Sequence, residues 1–300
     1  MRLGGKESIW GLMLQYGKLK IASISSLGGR DPVLSVVPTI NFPMTVLPTI
    51  SLIFVNYRSV WELALALESL FAHEKEAVSY EIIVVNNDHE EEKSLQALAK
   101  QCAFRVLTPP QNDGFGAGVN LGVAEARGAI VGILNPDVRF VESFLRVVQE
   151  LLERDPALLC APTLVTLRGE EEANSFGSAP SLRRIVEIHS GRRWRGKELD
   201  WMSGAALFLT RERFLSLQGF DAGYFLYFED VDLCLRAKEM GSKLKRMSAR
   251  LVHVGGKSFL SRRHQKGHYY DSQRRYFQTY RPKWETFVLH LVHRIIAPFL

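Results

Sequence analysis

The sequence predicts an α/β protein, a doubly wound and mostly parallel sheet followed by a helical, basic C-terminal tail. Short, nearly continuous apolar runs alternate with segments of helical length, as expected for strands that are buried on both faces. Polar residues follow several of these runs, at the strand ends where such sheets bind ligands. Charge sets the tail apart, because residues 241–300 hold 13 Lys and Arg against 2 Asp and Glu.

Composition limits the class of protein and its partners. The chain has 300 residues, is 46% hydrophobic and carries a net charge of +6, which suits one large folded domain or two small ones. Its three cysteines, Cys102, Cys160 and Cys234, lack metal-ligand spacing and favour a reducing compartment. The basic end points to an anionic partner, and we prefer anionic lipid or phosphate because no nucleic-acid motif appears.

Three domain segments are expected. Residues 1–48 form an N-terminal extension of uncertain structure, without an evident signal peptide and with no assigned function. Residues 49–260 form the α/β domain, and residues 261–300 form the basic amphipathic tail. The last apolar stretch, residues 284–300, is interrupted by charges and histidines, so it is expected to lie along an interface and not to span a membrane.

The first half of the domain reads as alternating strands and helices. Ser59 and Glu62 have the spacing of a capping box, which would open the first helix. Asn86 and Asn87 end the second strand. Strands are expected over residues 50–55, 80–85, 104–107 and 129–134, and helices over 59–72 and 90–102.

A glycine-rich turn over residues 112–122 leads into the next helix. Free backbone N–H groups in such a turn can donate hydrogen bonds to a phosphate, although an ordinary glycine-rich turn is an alternative interpretation. Leu121 stands where the dinucleotide fingerprint requires glycine, so NAD is not expected.

Asp137 follows the fourth strand, after Asn135 and a proline. A carboxylate at a strand end can hold Mg²⁺ or Mn²⁺ together with substrate phosphates. The alternative is a turn in which Asp137 serves as a local hydrogen-bond acceptor.

The second half is less regular. Residues 167–197 are expected to form a mobile excursion over the site, with the basic run 192–195 as a solvated loop. His253, at a strand end, is either a structural histidine or a ligand. The other expected elements are helices over 140–154, 211–217 and 269–280, and strands over 157–162, 201–209, 243–247 and 251–252.

The acidic stretch 219–236 is the central feature of the predicted site. Glu229, Asp230 and Asp232 lie within four positions and are flanked by aromatic residues. Apolar surroundings raise a carboxyl pKa, which suits a general base. Acids that complement the dipole of a helix N-terminus explain the cluster equally well.

Taken in order, these motifs resemble the family 2 glycosyltransferases of GT-A fold, and within them the rhamnosyltransferase-like group. The resemblance covers about residues 49–260. Its motifs are Val55-Asn56-Tyr57, Val84-Val85-Asn86-Asn87, Asn112-Gly114-Phe115-Gly118-Asn120, Leu134-Asn135-Pro136-Asp137, Ser203-Gly204-Ala205-Ala206, Gly219-Phe220-Asp221, Phe228-Glu229-Asp230-Val231-Asp232-Leu233 and His253.

The resemblance implies inverting transfer of a sugar from a dTDP- or UDP-linked donor to a glycan or lipid-linked acceptor. Asp230 corresponds to the catalytic base, with Glu229 as the second candidate, and Asp137 with His253 would hold the divalent metal. Trp201, Gly204, Phe220 and Tyr224 are the expected acceptor or sugar contacts. The implied nucleotide-binding residues are Val55, Asn56, Tyr57, Asn86, Asn87, Gly114, Phe115, Asn120 and Asn135.

Two departures from the family pattern accompany the resemblance. Asn86 stands where the family often has an aspartate that reads the N3–H of the base, and Asn135 replaces the first acid of the metal-binding element. We therefore expect weak affinity for free metal. Rhamnose is the preferred sugar, in cell-surface polysaccharide synthesis at the cytoplasmic face of the membrane. The alternatives are a sugar nucleotidyltransferase and a membrane-associated glycan-binding module.

Overall fold

The computed structural model describes residues 47–75, 78–189, 196, 199–255 and 262–296. Most of the predicted N-terminal extension, residues 1–46, and the basic run 192–195 lie outside the described residues. Among the described helices, none combines the length and the apolar character needed to cross a membrane.

An eight-stranded mixed sheet forms the centre of the described part. Its order is β3-β2-β1-β4-β9-β6-β10-β5, and every strand is parallel to β1 except β9 and β5. The strands are β1 Ile50–Asn56, β2 Tyr80–Asn86, β3 Arg105–Leu107, β4 Ile130–Leu134, β5 Val138–Phe140, β6 Leu159–Val165, β9 Ala206–Thr210 and β10 Leu244–His253. A separate two-stranded sheet pairs β7 Phe176–Gly177 with β8 Trp201–Met202.

Helices cover both faces of the large sheet. Along β1, Leu52 and Phe54 point into one apolar core, whereas Ile53 and Val55 point into the other. This alternation explains why the strand reads as a continuous apolar run. The helices are α1 Val60–His73, α2 Glu92–Cys102, α3 Phe115–Ala124, α4 Leu145–Arg154, α5 Leu182–His189, α6 Arg211–Ser216, α7 Glu229–Glu239, α8 Arg262–Tyr280 and α9 Lys283–Ile296.

The C-terminal helices are part of the folded body. Tyr276 and Phe277 of α8 are fully buried and pack with Tyr224 and Phe228 in a third apolar cluster. Tyr280 at the end of α8 donates a hydrogen bond to Asp232 of α7, over 2.6 Å. What the sequence suggested as a tail therefore completes the core beside the acidic stretch.

Several predictions of local structure need correction. The capping box does not form, because Ser59 Oγ donates to Asn56 Oδ1 and Glu62 pairs with Arg139. The helix predicted from residue 140 begins at Leu145, since residues 138–140 add β5 to the sheet edge. The excursion between β6 and β9 contains α5 and the small β7–β8 sheet.

Candidate active site

The ends of β1 and β2 bring a group of asparagines together. Parallel register places Asn56 beside Asn86, and Asn56 Nδ2 donates to Asn86 Oδ1 over 3.1 Å. Asn86 Oδ1 also accepts from the backbone N–H of Asp88, and Asn86 Nδ2 donates to Glu92. Asn86, predicted to read the nucleotide base, thus has both ends of its amide engaged within the protein.

The other predicted nucleotide contacts near these strands differ in exposure. Tyr57 is partly exposed, with the guanidinium of Arg58 over its ring, whereas Val55 is buried. Asn87 Nδ2 donates to Asn112 Oδ1 and to the carbonyl of Gly114, each over 3.1 Å. Asn87 therefore joins the end of β2 to the glycine-rich turn.

The glycine-rich turn is closed by another part of the chain. The backbone N–H of Phe115, the first residue of α3, donates to the carbonyl of Phe225 over 2.9 Å. Gly114 has φ of 98°, and a Cβ there would lie 2.2 Å from the same oxygen. Asn120 also faces protein, because its amide exchanges two hydrogen bonds with the backbone of Phe220. In this arrangement the start of α3 holds the loop before α7.

Asp137 and His253 meet where β4 and β10 end. Asp137 Oδ1 lies 3.3 Å from His253 Nε2, and Asn135 Nδ2 lies 3.3 Å from the same nitrogen. On the other side of the ring, His253 Nδ1 lies 2.9 Å from Glu172. The imidazole is thus fixed between two carboxylates.

These contacts set the charges of the cluster. Burial alone would lower the pKa of His253, but hydrogen bonds and charge from Asp137 and Glu172 outweigh it and raise the pKa to about 10. Burial would likewise raise the pKa of Asp137, yet the contact with His253 holds it below its ordinary value. Without a further ligand, this is an imidazolium–carboxylate pair at neutral pH.

The donor set fits a divalent metal that is shared with a substrate. Asp137 and His253 present an oxygen and a nitrogen toward each other, and Glu172 holds the second ring nitrogen, as carboxylates commonly do behind metal-bound histidines. No described cluster of three or more such side chains could hold the ion by itself. Binding would also displace the proton from His253. Phosphate oxygens would have to complete the shell.

Asp230 is held near the end of β4 by backbone hydrogen bonds. Its Oδ2 accepts from the N–H of Gly204 over 2.9 Å, and its Oδ1 accepts from the N–H of Val231 over 2.8 Å. The carbonyl of Ala205, the residue after Gly204, accepts a hydrogen bond from the N–H of Asn135 over 2.9 Å. Asp230 is therefore connected to the strand end that holds Asn135 and Asp137 through Gly204 and Ala205, the two residues that precede β9.

Electrostatics distinguish the two neighbouring acids. Burial raises the pKa of Asp230, opposed by the hydrogen bonds from Gly204 and Val231. Burial, followed by the charge of Asp230, raises the pKa of Glu229 well above its ordinary value. Glu229 Oε2 is buried without a hydrogen-bond partner among the described residues. The neutral form of Glu229 is therefore favoured, and Asp230, whose carboxylate accepts two backbone hydrogen bonds, is the better candidate for a base.

The backbone before the two acids is strained. Tyr227 has φ of 69° and Phe228 has φ of 67°, a left-handed conformation that is rare for bulky residues. Phe228 is held by packing against Tyr269 and Tyr276 of α8. Such strain persists where the surrounding structure enforces it, often at functional sites. Here it turns the chain sharply into α7.

The predicted acceptor contacts are placed unequally. Gly204 lies against Asp230, and a Cβ there would be 3.3 Å from Asp230 Cβ. Trp201 is partly exposed and donates to the carbonyl of Ser178. Phe220 and Tyr224 are only 2% and 1% exposed, because both rings belong to the core. This differs from the prediction, since a buried ring offers no face to a sugar.

Two notable features of the site were missed by the sequence reasoning. Glu172 lies within residues 167–197, which were expected to form a mobile excursion over the site, and its partner His253 is 81 positions away. Asp88 follows Asn86 and Asn87, and its Oδ2 lies 3.7 Å from Arg58 Nε. Both of these atoms are buried without hydrogen bonds in the described residues. The position of Asp88 just after a strand was the sequence feature that could have made it a candidate site residue.

Comparisons with known proteins point to one family. The model of the family described as "Glycosyl transferase family 2" matches residues 51–235. Rhamnosyltransferase WbbL of Escherichia coli (strain K12) is 37% identical over 68 residues, which are 21% of this chain and 26% of that protein. The N-acetylglucosaminyl-diphospho-decaprenol L-rhamnosyltransferase of Mycobacterium tuberculosis (strain ATCC 25618 / H37Rv) is 25% identical over 192 residues, 53% of this chain and 61% of that one.

Solved structures support the fold. The mannosyltransferase PcManGT from Pyrobaculum calidifontis, in complex with GDP-Man and Mn²⁺, superposes with a TM-score of 0.55 at 15% identity. The match covers 82% of this chain and 69% of that one. The predicted GT-A architecture is thereby confirmed.

Proposed function

Because the chain belongs to glycosyl transferase family 2, we propose that it transfers a sugar, with inversion, from a nucleotide-diphosphate donor to a hydroxyl group of a glycan or lipid-linked acceptor. One observation carries the proposal. Asp230, an acid whose pKa is raised, is joined through Gly204 and Ala205 to the strand end that holds Asn135 and Asp137. Such a reaction requires a base close to the group that holds the diphosphate, and this connection would bring the two together at the same end of the sheet.

The proposed reaction is a single displacement. The acceptor oxygen forms a bond to the anomeric carbon, on the face opposite the diphosphate. The bond from that carbon to the diphosphate oxygen breaks, and the nucleoside diphosphate leaves with the electron pair. The hydroxyl proton moves to the carboxylate of Asp230, whose raised pKa makes it a stronger base than an ordinary aspartate.

Asp137 and His253 are the residues that would hold Mg²⁺ or Mn²⁺ together with the donor phosphates. A bound divalent cation would neutralise the charge that develops on the departing diphosphate. Glu172 would keep His253 Nε2 directed toward Asp137. Support comes from the Mn²⁺ in the PcManGT complex, and the two protein ligands agree with weak affinity for free metal.

For the donor we propose a dTDP- or UDP-sugar, with rhamnose as the preferred sugar, because two relatives are named as rhamnosyltransferases. The name of the mycobacterial relative includes a diphospho-decaprenol acceptor, which supports a lipid-linked acceptor. The proposed setting is cell-surface polysaccharide synthesis, with the protein at the cytoplasmic face of the membrane.

The test combines donor binding and transfer. Thermal unfolding with a panel of nucleotide-sugars and Mn²⁺ should identify the donor, because a bound ligand raises the unfolding temperature. With that donor, Asp230→Asn should retain thermal protection and lose about 10²- to 10⁴-fold in transfer rate.

The matched control is Glu229→Gln. It should keep transfer within about tenfold of the wild type, because Glu229 is expected to be neutral already. Near wild-type transfer by Asp230→Asn would show that the base is assigned to the wrong residue. A panel without any protecting nucleotide-sugar would contradict the proposed function itself.

A further inference from the structure

The last described helix, α9, carries an apolar stripe on its exposed face. Its side chains recur at the three- and four-residue spacing that places them on one side of a helix. Their exposed fractions are large for such residues in a folded protein. They are Trp284 63%, Phe287 70%, Val288 37%, Leu291 52%, Val292 44% and Ile295 61%. We call these six residues the α9 stripe.

The opposite face of α9 is fixed to the protein. Leu289 is buried in the third apolar cluster, and His293 Nε2 lies 2.9 Å from Gln273 Oε1 of α8. Glu285 accepts hydrogen bonds from the backbone of Leu182 and from Arg281. These contacts hold α9 in place, so the α9 stripe faces outward in the described structure.

Charge along the helix indicates what covers the stripe. Lys283 and Arg294 are exposed and, at eleven positions apart, lie on the same flank of α9, beside the edge of the stripe. They belong to the C-terminal region with 13 basic and 2 acidic residues. An apolar face with tryptophan and phenylalanine, bordered by cations, is the composition of helices that lie flat in an anionic membrane surface.

A second copy of the chain fits this face less well. If two α9 helices packed antiparallel about a two-fold axis, each flank would meet its own equivalent. Lys283 of one copy would then lie near Arg294 of the other, which is repulsive. A bilayer with anionic headgroups would satisfy the apolar stripe and both cations together.

We propose that the α9 stripe docks on an anionic lipid bilayer, with α9 parallel to the membrane surface. One further consequence rests on the proposed function. Helix α8, which leads into α9, touches the loop before the acidic pair: Ser272 Oγ donates to the carbonyl of Leu226, and His268 stacks on Phe225. Docking through α9 would therefore hold the acceptor side of the site near the membrane, where a lipid-linked acceptor resides.

Co-sedimentation of the full chain with vesicles tests the docking surface without reference to activity. The chain should bind vesicles of equimolar phosphatidylcholine and phosphatidylglycerol, and bind more weakly at high salt. The double variant Phe287→Ser with Leu291→Ser should lose about tenfold or more in partitioning. Lys283→Gln with Arg294→Gln should weaken binding to these vesicles and have little effect on pure phosphatidylcholine.

Val147→Ser is the matched control, because Val147 is an exposed apolar residue of α4 and should leave binding unchanged. Thermal protection by the donor should be the same in all variants, which separates this test from the proposed function. Wild-type binding by the Phe287→Ser, Leu291→Ser variant would overturn the proposal. A wild-type dimer that this variant converts to a monomer, without loss of vesicle binding, would assign the stripe to a second copy instead.

Discussion

At the scale of single residues, the site depends on how two adjacent acids differ. Asp230 receives two backbone hydrogen bonds, whereas the Oε2 atom of Glu229 receives none from the described residues. Hydrogen bonds to a carboxylate favour its charged form, and burial without them favours the neutral form. Burial therefore favours the neutral form of Glu229 more than that of Asp230, although the two acids are neighbours in sequence.

This difference predicts the pH dependence of transfer. The base must be deprotonated, and burial raises the pKa of Asp230, so activity should fall as the pH is lowered through a value above the ordinary aspartate pKa of about 3.9. The measurement is the transfer rate as a function of pH at saturating donor. Donor protection, followed over the same range, serves as the control. An acid limb at the ordinary aspartate value, or one that parallels the loss of donor binding, would contradict the assignment.

The sequence made Asp137, His253 and Asp230 candidate site residues because motif order and strand ends are visible in the chain. The sequence could not predict which side chains would form hydrogen bonds with one another within the site. The amide of Asn86 is engaged by Asn56, Asp88 and Glu92, whereas Glu172 contacts His253 from 81 positions away in the chain. Such pairings depend on tertiary structure and leave no local pattern.

At the scale of elements, the buried parallel strands were predictable, since a strand that is covered on both faces is apolar at every position. The antiparallel direction of β9 was not, because its apolar run looks the same in either direction. Helix α5 was missed since it is short and lies within a polar stretch. The capping box does not form because Ser59 hydrogen-bonds to Asn56 and Glu62 forms an ion pair with Arg139.

The contact between the glycine-rich turn and the loop before α7 gives a test at this scale. Gly114→Ala should destabilise the protein by about 2 kcal/mol or more, because the new Cβ would clash with the carbonyl of Phe225 and φ is positive. Gly241→Ala is the control, since φ there is +84° but no atom of the described residues lies within 4 Å of the new Cβ. It should cost about 1 kcal/mol, from backbone strain alone.

Urea denaturation of both variants would measure the difference. Equal losses of stability would show that only backbone strain matters at Gly114. The turn would then be free to move away from Phe225.

At the scale of the whole molecule, the C-terminal helices and the sheet domain should unfold together. Phe277→Ala should lower the free energy of unfolding by about 3–5 kcal/mol, because its fully buried ring packs beside Tyr224 and Phe228. Phe287→Ala, in the neighbouring helix, removes a ring that is 70% exposed and should change stability by no more than about 0.5 kcal/mol.

Thermal unfolding followed by circular dichroism and by calorimetry would test this prediction. One shared transition that shifts in Phe277→Ala is the expected result. A separate early transition for the C-terminal helices would show that they form an independent unit.

The position of β9 has a consequence for how the protein is made. This strand inserts between β4 and β6, which both precede it in the chain. While the roughly seventy residues between β4 and β9 are translated, over about 4–15 s, β4 leaves the ribosome with one apolar edge unpaired. Exposed strand edges are sites of aggregation. The nascent chain should therefore depend on chaperones until β9 has emerged and joined the two parts of the sheet.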